Sequence, residues 1–346
     1  MIGGDGNGWR ADTFYKVRGL AWHGDRLYAS VTGPRSDGER GEVWSWNRRA
    51  WRREDGEADG PWPASQFVEH LFSHDGWLFA ATSGGVWRLR DRRWEDVTGD
   101  LAFDDKRGGY AFAAWRGGLA MSFWGEPGVA VFDGQRWQRL AGPSGGWGRG
   151  TRTVYCLQSF EDRLYAGTGT GRLTGPAASV WRFDGSSWER IAGGGERGSW
   201  SREGIPFVLS LREHAGFLIA TLSRPPGTLA RTSSAWAFDG RDWRPLGTGP
   251  VPPLMARSLI MNDSEVVGGR LIVATGDGQG RVAQVWELEA SQRWRPVGGE
   301  VFSAERTDGA GGYWIYRLCS ASGDLYAGTA GHKGAARVYR FSPSSP

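Results

Sequence analysis

A short strand-like motif occurs seven times along the whole chain, and this repetition restricts the fold more than any other feature. The clearest copy is RLYAGT at 163–168, and its relatives start at Leu27, Leu78, Leu119, Leu218, Leu271 and Leu325. The leading leucines are 41 to 54 residues apart. A fixed period of this length is typical of an array of similar structural units rather than of separate domains.

Each unit contains four strand-like runs, here named A to D. The motif above is strand B, and in most units a leucine or phenylalanine seven residues upstream marks strand A. Strand C is VWRF at 180–183 in the clearest copy, and strand D carries a second tryptophan, Trp188. The 56 glycines of the chain suit many tight turns between such strands. Four strands at this period predict an all-β fold, a seven-bladed β-propeller of four-stranded blades.

The predicted propeller is one domain over residues 1–346. Its blades begin near residues 15, 66, 108, 152, 206, 257 and 313. Only six strand D tryptophans follow the seven copies of strands A to C, but GWRADT around Trp9 matches SWERIA at 187–192. The segment 8–14 is therefore predicted to be the outer strand of blade 7, which closes the ring and covers an exposed sheet edge.

The C–D hairpins carry a resemblance to known propellers. VWRFDGSSW at 180–188 recurs as VAVFDGQRW at 129–137 and AWAFDGRDW at 235–243, and LYAGTG stands at 164–169. This pattern resembles kelch-type propellers and, in its hairpins, the Asp-box hairpins of sialidase-like propellers. It has Ala-Gly-Thr where kelch repeats usually have two glycines, and it mostly lacks the upstream Ser or Thr of Asp boxes. The resemblance implies the fold and no particular activity.

The Asp-Gly pair of these hairpins predicts a tight turn rather than a catalytic site. Asp184 stands at the same repeat position as Asp133 and Asp239. By contrast, the D-to-A and B-to-C connections are long and dissimilar, as at 31–42, 194–206 and 300–312. Long variable loops on a rigid scaffold are where binding residues concentrate. Because these loops do not repeat, we expect a single axial pocket on their face, where the A strands begin.

Aromatic side chains beside arginines near the starts of the A strands suit a planar or anionic ligand. Tyr15, Arg18, His70, Arg152, Tyr155, Arg257, Trp314 and Arg317 are the predicted ligand-binding residues. Glu69, Tyr110, Tyr316 and His332 are the candidates for acid–base catalysis. The alternative is that these side chains simply pack in a channel with their polar tips in water.

Three classes of function remain open. The first is a binder or converter of one polar, anionic or aromatic small molecule, and the second is a non-catalytic scaffold for protein partners. The third is a carbohydrate-binding propeller, which is favoured by loop tryptophans that we expect to be exposed, such as Trp62, Trp147 and Trp200. Two C–D hairpins offer a basic patch for an acidic partner, or else a solvated edge with interleaved Asp91 and Glu54. Its members are Arg48, Arg49, Arg52, Arg53, Arg88, Arg90, Arg92 and Arg93.

The composition of the chain limits its overall charge, its possible metal sites and its location. The 42 basic and 38 acidic residues leave a net charge of +4, a weak overall field for so long a chain. The two cysteines, Cys156 and Cys319, cannot form a disulfide framework. No spacing of His, Cys and carboxylate residues indicates a zinc or iron site, and we expect no metal and no cofactor. No signal-like or membrane-spanning run occurs in the sequence. The sequence therefore predicts a monomer in the cytoplasm without membrane association.

Overall fold

Every regular element in the described part of the chain is a β-strand. The structure is a computed structural model. It describes residues 1–4, 7–9, 13–35, 38–55, 62, 66–101, 103, 108–144, 146–148, 150–170, 178–193, 196, 198–200, 207–223, 235–248, 260–276, 283–297, 313–331 and 336–342. The chain divides into two compact units. Unit 1 is Met1–Gly109, Gly276–Val285 and Val297–Pro346, and unit 2 is Tyr110–Thr275 and Trp286–Pro296.

The strands of unit 1 form antiparallel meanders, in which each strand pairs with the next one along the chain. The first is β1 (Lys16–His23), β2 (Arg26–Arg35), β3 (Gly38–Trp46) and β4 (Trp51–Arg53). The second is β5 (Val68–His74), β6 (Trp77–Thr82), β7 (Val86–Arg90) and β8 (Arg93–Asp96). The last part of the chain adds β25 (Tyr313–Ala321), β26 (Asp324–Gly331) and β27 (Val338–Phe341).

Unit 2 repeats the same pattern and holds most of the remaining strands, whose ends in places cross into unit 1. These strands are β9 (Gly108–Trp115), β10 (Gly118–Trp124), β11 (Val129–Phe132), β12 (Trp137–Arg139), β13 (Thr153–Phe160), β14 (Arg163–Gly169), β15 (Val180–Phe183), β16 (Trp188–Ala192), β17 (Phe207–His214), β18 (Phe217–Ser223), β19 (Ala235–Phe238), β20 (Trp243–Pro245), β21 (Ile260–Val267), β22 (Arg270–Gly276), β23 (Ala283–Leu288) and β24 (Trp294–Val297). The described strands therefore form six four-stranded meanders and one three-stranded meander, in chain order.

The apolar cores lie between successive meanders. One cluster, for example, joins Phe160 and Tyr165 of the fourth meander to Leu211 and Leu218 of the fifth. The B strands are almost wholly buried, and β14 shows why they contain small residues. A Cβ atom on Gly167 would lie 2.7 Å from Cγ1 of Val208 in the next meander, which is too close for any side chain. This close approach explains the glycine of the Ala-Gly-Thr sequence in β14.

The N-terminal segment completes the last meander, although not through the predicted residues. Gly3 forms a β-bridge with Val338 of β27, and the amide of Ile2 donates to the Val338 carbonyl at 2.8 Å. Gly8 and Trp9 lie in a bend, and neither Thr13 nor Phe14 is in a strand. The prediction of an outer strand at 8–14 is thus wrong for the described residues of that segment.

Trp9 belongs to a different repeat, in which a loop tryptophan packs on the two tryptophans of a following C–D hairpin. Its ring lies 6.1 Å from that of Trp44 and 4.9 Å from that of Trp51, between centroids. Its indole N–H donates to the Ala336 carbonyl at 2.7 Å. The same arrangement joins Trp62 to Trp87 and Trp94, Trp147 to Trp181 and Trp188, and Trp200 to Trp236 and Trp243. We call these four groups the tryptophan triads.

The triads correct the expectation of exposed loop tryptophans. Trp62, Trp147 and Trp200 are all buried, and Trp200 is only 1% exposed. The indole N–H of Trp200 donates to the Ala178 carbonyl at 3.0 Å, as that of Trp9 does to Ala336. Trp9 and Trp200 thus contribute both a large buried apolar area and a hydrogen bond, while Trp62 and Trp147 are buried against their hairpin tryptophans. They therefore offer no sugar-stacking surface.

The Asp-Gly hairpins contain the turns that the sequence predicts. Oδ1 of Asp184 accepts hydrogen bonds from the amides of Ser186 and Ser187, at 2.7 and 2.9 Å. Asp133 and Asp239 accept equivalent bonds. These backbone donors lower the pKa of Asp184 below its ordinary value, since they stabilise the ionised carboxylate. The side chain therefore serves the turn.

Candidate functional site

A β-bulge near the start of several A strands sets apart one side chain in each. In β1 the register with β2 shifts between Val17 and Gly19, so Arg18 has no opposite partner. The same shift isolates Glu69 in β5 and Tyr316 in β25, within unit 1. In unit 2 it isolates Tyr155 in β13 and Leu209 in β17. Bulges re-aim side chains and are common beside functional sites, so this repeated position is a natural place for ligand contacts.

In unit 1 the three bulge residues contact one another. Arg18 forms an ion pair with Glu69 through Nη1 and Oε2, and the Tyr316 hydroxyl donates to Oε1 of Glu69 at 3.1 Å. Nε of Arg18 donates to the Thr32 hydroxyl at 3.0 Å. The side chain of Glu69 is 6% exposed and that of Arg18 is 11% exposed. Both oxygens of this buried carboxylate are therefore engaged.

Two more cations complete the group, which we call the Glu69 cluster: Lys16, Arg18, Glu69, Tyr316 and Arg317. Nε of Arg317 donates to the Arg18 carbonyl at 2.8 Å, and its guanidinium carbon lies 4.9 Å from the Tyr316 ring centroid. Nζ of Lys16 lies 3.6 Å from the same centroid. Three basic groups thus surround one carboxylate.

The charges of the cluster shift its pKa values in a consistent direction. Burial raises the pKa of Glu69, but Arg18, Lys16 and Arg317 together outweigh burial and leave that pKa below its ordinary value. Burial lowers the pKa of Lys16 well below 10.5, and Arg18 and Arg317 lower it further, whereas Glu69 opposes the change. Glu69 is consequently ionised at neutral pH, and Lys16 loses its proton more readily than an ordinary lysine.

This arrangement suits anion binding better than acid catalysis by Glu69. A general acid must hold a proton near neutral pH, and a carboxylate stabilised by cations does not. Within the cluster, the ionised Glu69 carries one negative charge beside the positively charged Arg18 and Arg317. A guanidinium presents several N–H donors in a fork that matches carboxylate and phosphate oxygens. We therefore assign Glu69 a positioning role for Arg18 and Tyr316.

Another set of predicted residues meets within unit 2. The rings of Tyr110 and Tyr155 contact each other edge to face, with centroids 5.4 Å apart. Tyr155 makes a similar contact with Phe207, at 5.2 Å. This aromatic row uses the bulge residue of β13 and the first residue of β17. It offers ring edges and hydroxyl groups, in contrast to the charged cluster of unit 1.

The remaining predicted residues lie elsewhere or outside the described part of the chain. Tyr15 is half-buried, and its backbone carbonyl accepts from the Gly331 amide at 2.8 Å. The His70 ring lies 6.3 Å from that of Phe72, between centroids. Trp314 is half-buried in β25, and Arg152 is exposed just before β13. Arg257 and His332 lie outside the described residues.

Sequence reasoning did not single out Lys16 as a functional residue, although it lies in the A-strand segment from which the other candidates came. Its signal is composition: Lys16, Lys106 and Lys333 are the three lysines among 42 basic residues, which leaves 39 arginines. A lysine at the start of β1, two residues before the bulge, is therefore conspicuous. Thr32 and Phe67 were also missed, since only the folded chain brings them to Arg18.

The basic patch of the C–D hairpins consists largely of ion pairs. Arg53 pairs with Asp55 at 2.7 Å and with Glu42 at 3.3 Å. Arg52 and Arg92 both approach the buried Glu54, at 3.5 and 3.9 Å. Arg88 pairs with Glu95, and Arg90 with Asp91. The acidic side chains interleaved with these arginines offset much of their charge, while Arg48 and Arg49 are exposed.

In the described residues, two kinds of feature are absent: a cluster of metal ligands and a membrane-spanning helix. No group of three or more His, Cys, Asp or Glu side chains in those ranges could hold a metal ion. In the same ranges, no helix is both long and apolar enough to cross a membrane. The two cysteines are both buried and unbridged. The cytoplasmic location stays a prediction.

Comparisons with known proteins define the fold class. No known family profile matches the chain, and no curated protein matches its sequence. Among solved structures, it is similar to the extracellular domain of a hybrid two-component system from B. thetaiotaomicron, with a TM-score of 0.62 and 12% identity. That likeness covers 96% of this chain and 38% of the other.

A second similar structure is the GH74 xyloglucanase from Xanthomonas campestris, with a TM-score of 0.56 and 16% identity. It is matched over 92% of this chain and 52% of its own length. Identities this low show the fold alone. Together with the repeated antiparallel meanders, they show an all-β fold of the propeller type. The count of seven blades and the kelch-like classification stay predictions.

Proposed function

We propose that this chain binds one small anionic ligand, carrying a carboxylate or phosphate group, at the Glu69 cluster. The observation that carries the proposal is the excess of positive charge around a buried, fully engaged carboxylate. Glu69 holds Arg18 and Tyr316 in place by direct contacts, and Arg317 and Lys16 lie against the Tyr316 ring. Such preorganisation reduces the entropy lost when a ligand binds.

The position of the cluster supports this function. Lys16 is the first residue of β1, and Glu69 is the second residue of β5. The cluster is therefore near the strand ends that the long D-to-A connections enter, which is the face predicted to carry the ligand. The buried loop tryptophans remove the observation that favoured a sugar-binding propeller.

Calorimetric titration with phosphate, sulfate, acetate and citrate tests the proposal. We expect saturable binding of at least one of these anions at one site per chain. Arg317→Met should weaken that binding about tenfold or more, because a hydrogen bond to a charged group contributes about 1.5–3 kcal/mol. The matched control is Arg136→Met, which removes a guanidinium whose side chain is 85% exposed in a hairpin of unit 2.

Two results would count against the site. One is the absence of binding by all four anions at low ionic strength. The other is an equal loss of affinity in Arg317→Met and Arg136→Met, which would mean that anions respond only to the overall charge. Thermal unfolding of each variant, measured in parallel, separates a lost contact from a lost fold.

A further inference from the structure

Lys16 has a chemical environment that anion binding alone does not require. In a chain with 39 arginines and three lysines, an arginine would supply the same charge with a better hydrogen-bonding geometry. A lysine differs from an arginine in one chemical respect that matters here, because it can lose its proton and act as a nucleophile. The position of this lysine is therefore informative.

The surroundings of Lys16 favour the neutral amine. Arg18 and Arg317 place positive charge beside it, and both oxygens of Glu69 are already engaged by Arg18 and Tyr316. Within the described part of the chain, Nζ contacts the face of the Tyr316 ring and forms no ion pair. An aromatic face accepts either an ammonium group or an amine N–H. Desolvation beside another cation is a known way to make a lysine nucleophilic.

We propose that Lys16 forms an imine with the carbonyl carbon of a small aldehyde or ketone whose anionic group is held by Arg18 and Arg317. This inference rests on the proposed anion site and specifies its substrate class. The amine lone pair attacks the carbonyl carbon and forms a C–N bond. The carbonyl oxygen receives the two protons that nitrogen loses and leaves as water, so that amine plus carbonyl gives imine plus water. No oxidant or reductant takes part.

Glu69 stabilises the protonated imine, in addition to positioning Arg18 and Tyr316. A protonated imine carries a positive charge that the neutral amine lacks, and the Glu69 carboxylate is the nearby negative group. The charged groups that face Lys16 are Arg18, Arg317 and Glu69, and Tyr316 supplies the ring on which Nζ lies. The arginines thus promote the nucleophile, and the carboxylate stabilises the adduct.

Reductive trapping with glyoxylate, the smallest anionic aldehyde, tests the inference. The full chain is incubated with glyoxylate and sodium cyanoborohydride at pH 7, and the carboxymethylated lysines are then identified by peptide mass spectrometry. We expect Lys16 to be modified at least about tenfold faster than Lys106 or Lys333, because each unit of lowered pKa raises the amine fraction about tenfold. The two other lysines serve as internal references.

Two controls show whether the rate depends on the site. Lys16→Arg keeps the positive charge and should lose the modification at this position. Glycolaldehyde, which is neutral, should show a smaller preference for Lys16 over Lys106 and Lys333 than glyoxylate does, because no anionic group is held by the arginines. Equal preference for both aldehydes would overturn the role of Arg18 and Arg317.

Failure of this inference is distinguishable from failure of the proposed function. If glyoxylate displaces a bound anion in calorimetry but modifies Lys16 no faster than the other lysines, imine formation is overturned and the anion site stands. If neither glyoxylate nor the inorganic anions bind, and Lys16 shows no excess modification, both proposals are overturned. Excess modification that excess phosphate suppresses supports both.

Discussion

Two buried carboxylates of unit 1 have opposite pKa shifts. Asp55 is 2% exposed and Glu69 is 4% exposed, and each is paired with one arginine. Burial raises the pKa of Asp55 to about 6. Arg53 opposes this rise without cancelling it, and the charge of Glu42 adds a smaller rise. The pKa of Glu69 is instead lowered, since three basic groups outweigh burial. The balance of local charges therefore decides the direction in which burial leaves the pKa of each acid.

The largest expected effect comes from removing the partner of Glu69. Arg18→Met leaves a buried carboxylate without its ion pair, and we expect a loss of about 3–5 kcal/mol in the free energy of unfolding. Urea denaturation at pH 7 measures this loss. The double variant Arg18→Met with Glu69→Gln should recover most of it, because no buried charge then remains. A single variant as stable as the wild type would show that Glu69 is not held by Arg18.

The second effect is a pH dependence that belongs to Asp55. The folded-state pKa of about 6 exceeds the ordinary 3.8, so the folded state binds the proton more tightly, and this group adds stability as pH falls from above 6 to below 4. The shift corresponds to about 3 kcal/mol. The difference in unfolding free energy between wild type and Asp55→Asn should change by up to that amount from pH 7 to pH 4.

The contribution of Glu69 to the unfolding free energy should change with pH in the direction opposite to that of Asp55. Because its folded-state pKa is lowered, its contribution is complete above the ordinary pKa of 4.5 and is lost as pH falls through the folded-state value. The difference between wild type and Glu69→Gln should therefore shrink with acidification. If the Asp55 and Glu69 variants gave pH profiles of the same sign, the contrast between the two carboxylates would be wrong.

A smaller effect is expected from the Tyr316 hydroxyl. Tyr316→Phe keeps the ring on which Lys16 lies and removes only the hydrogen bond to Glu69. A bond to a charged acceptor contributes about 1.5–3 kcal/mol, and its loss should appear in urea denaturation. Tyr326→Phe is the matched control, since the Tyr326 ring packs on Trp22 and Trp46 instead. Equal losses in the two variants would show that the hydrogen bond from Tyr316 to Glu69 adds no stability beyond that of the control hydroxyl.

The smallest expected effect is a gain in stability rather than a loss. Lys16→Met removes a basic group whose pKa is lowered in the folded state, and such a group destabilises the fold at any pH below its ordinary pKa of 10.5. We expect a slight gain in stability at pH 7, measured by urea denaturation. A loss of stability would mean that the Lys16 charge supports the fold.

The fold was largely predictable because seven similar units leave their spacing in the sequence. Four of the predicted site residues, Arg18, Glu69, Tyr316 and Arg317, do meet near the A-strand starts of unit 1, and their role stays a prediction. The contacts themselves were not predictable. A bulge changes which side chains share a face, so the alternation rule fails at Glu69 and Tyr316.

The sequence predictions that were wrong for the loop tryptophans also have specific causes. Trp9 was assigned to a strand because its neighbours resemble a strand D sequence, whereas its ring packs as the loop tryptophans do. Trp62 and Trp200 were expected to be exposed because they lie in the loops between the predicted strands. They are buried by contacts with hairpins about 25 to 45 residues later in the chain. Contacts at this separation leave no pattern in the local sequence.

The pairing of Gly3 with Val338 and the bond from Trp9 to Ala336 have a consequence for the order of folding. These contacts join residues more than 300 positions apart, and unit 1 is assembled from both ends of the chain. Unit 2 is nearly continuous in sequence. During synthesis, unit 2 can therefore fold while the ribosome is still at work, whereas unit 1 must wait for the last strands. The Glu69 cluster, which needs β25, can then form only after β25 has been synthesised.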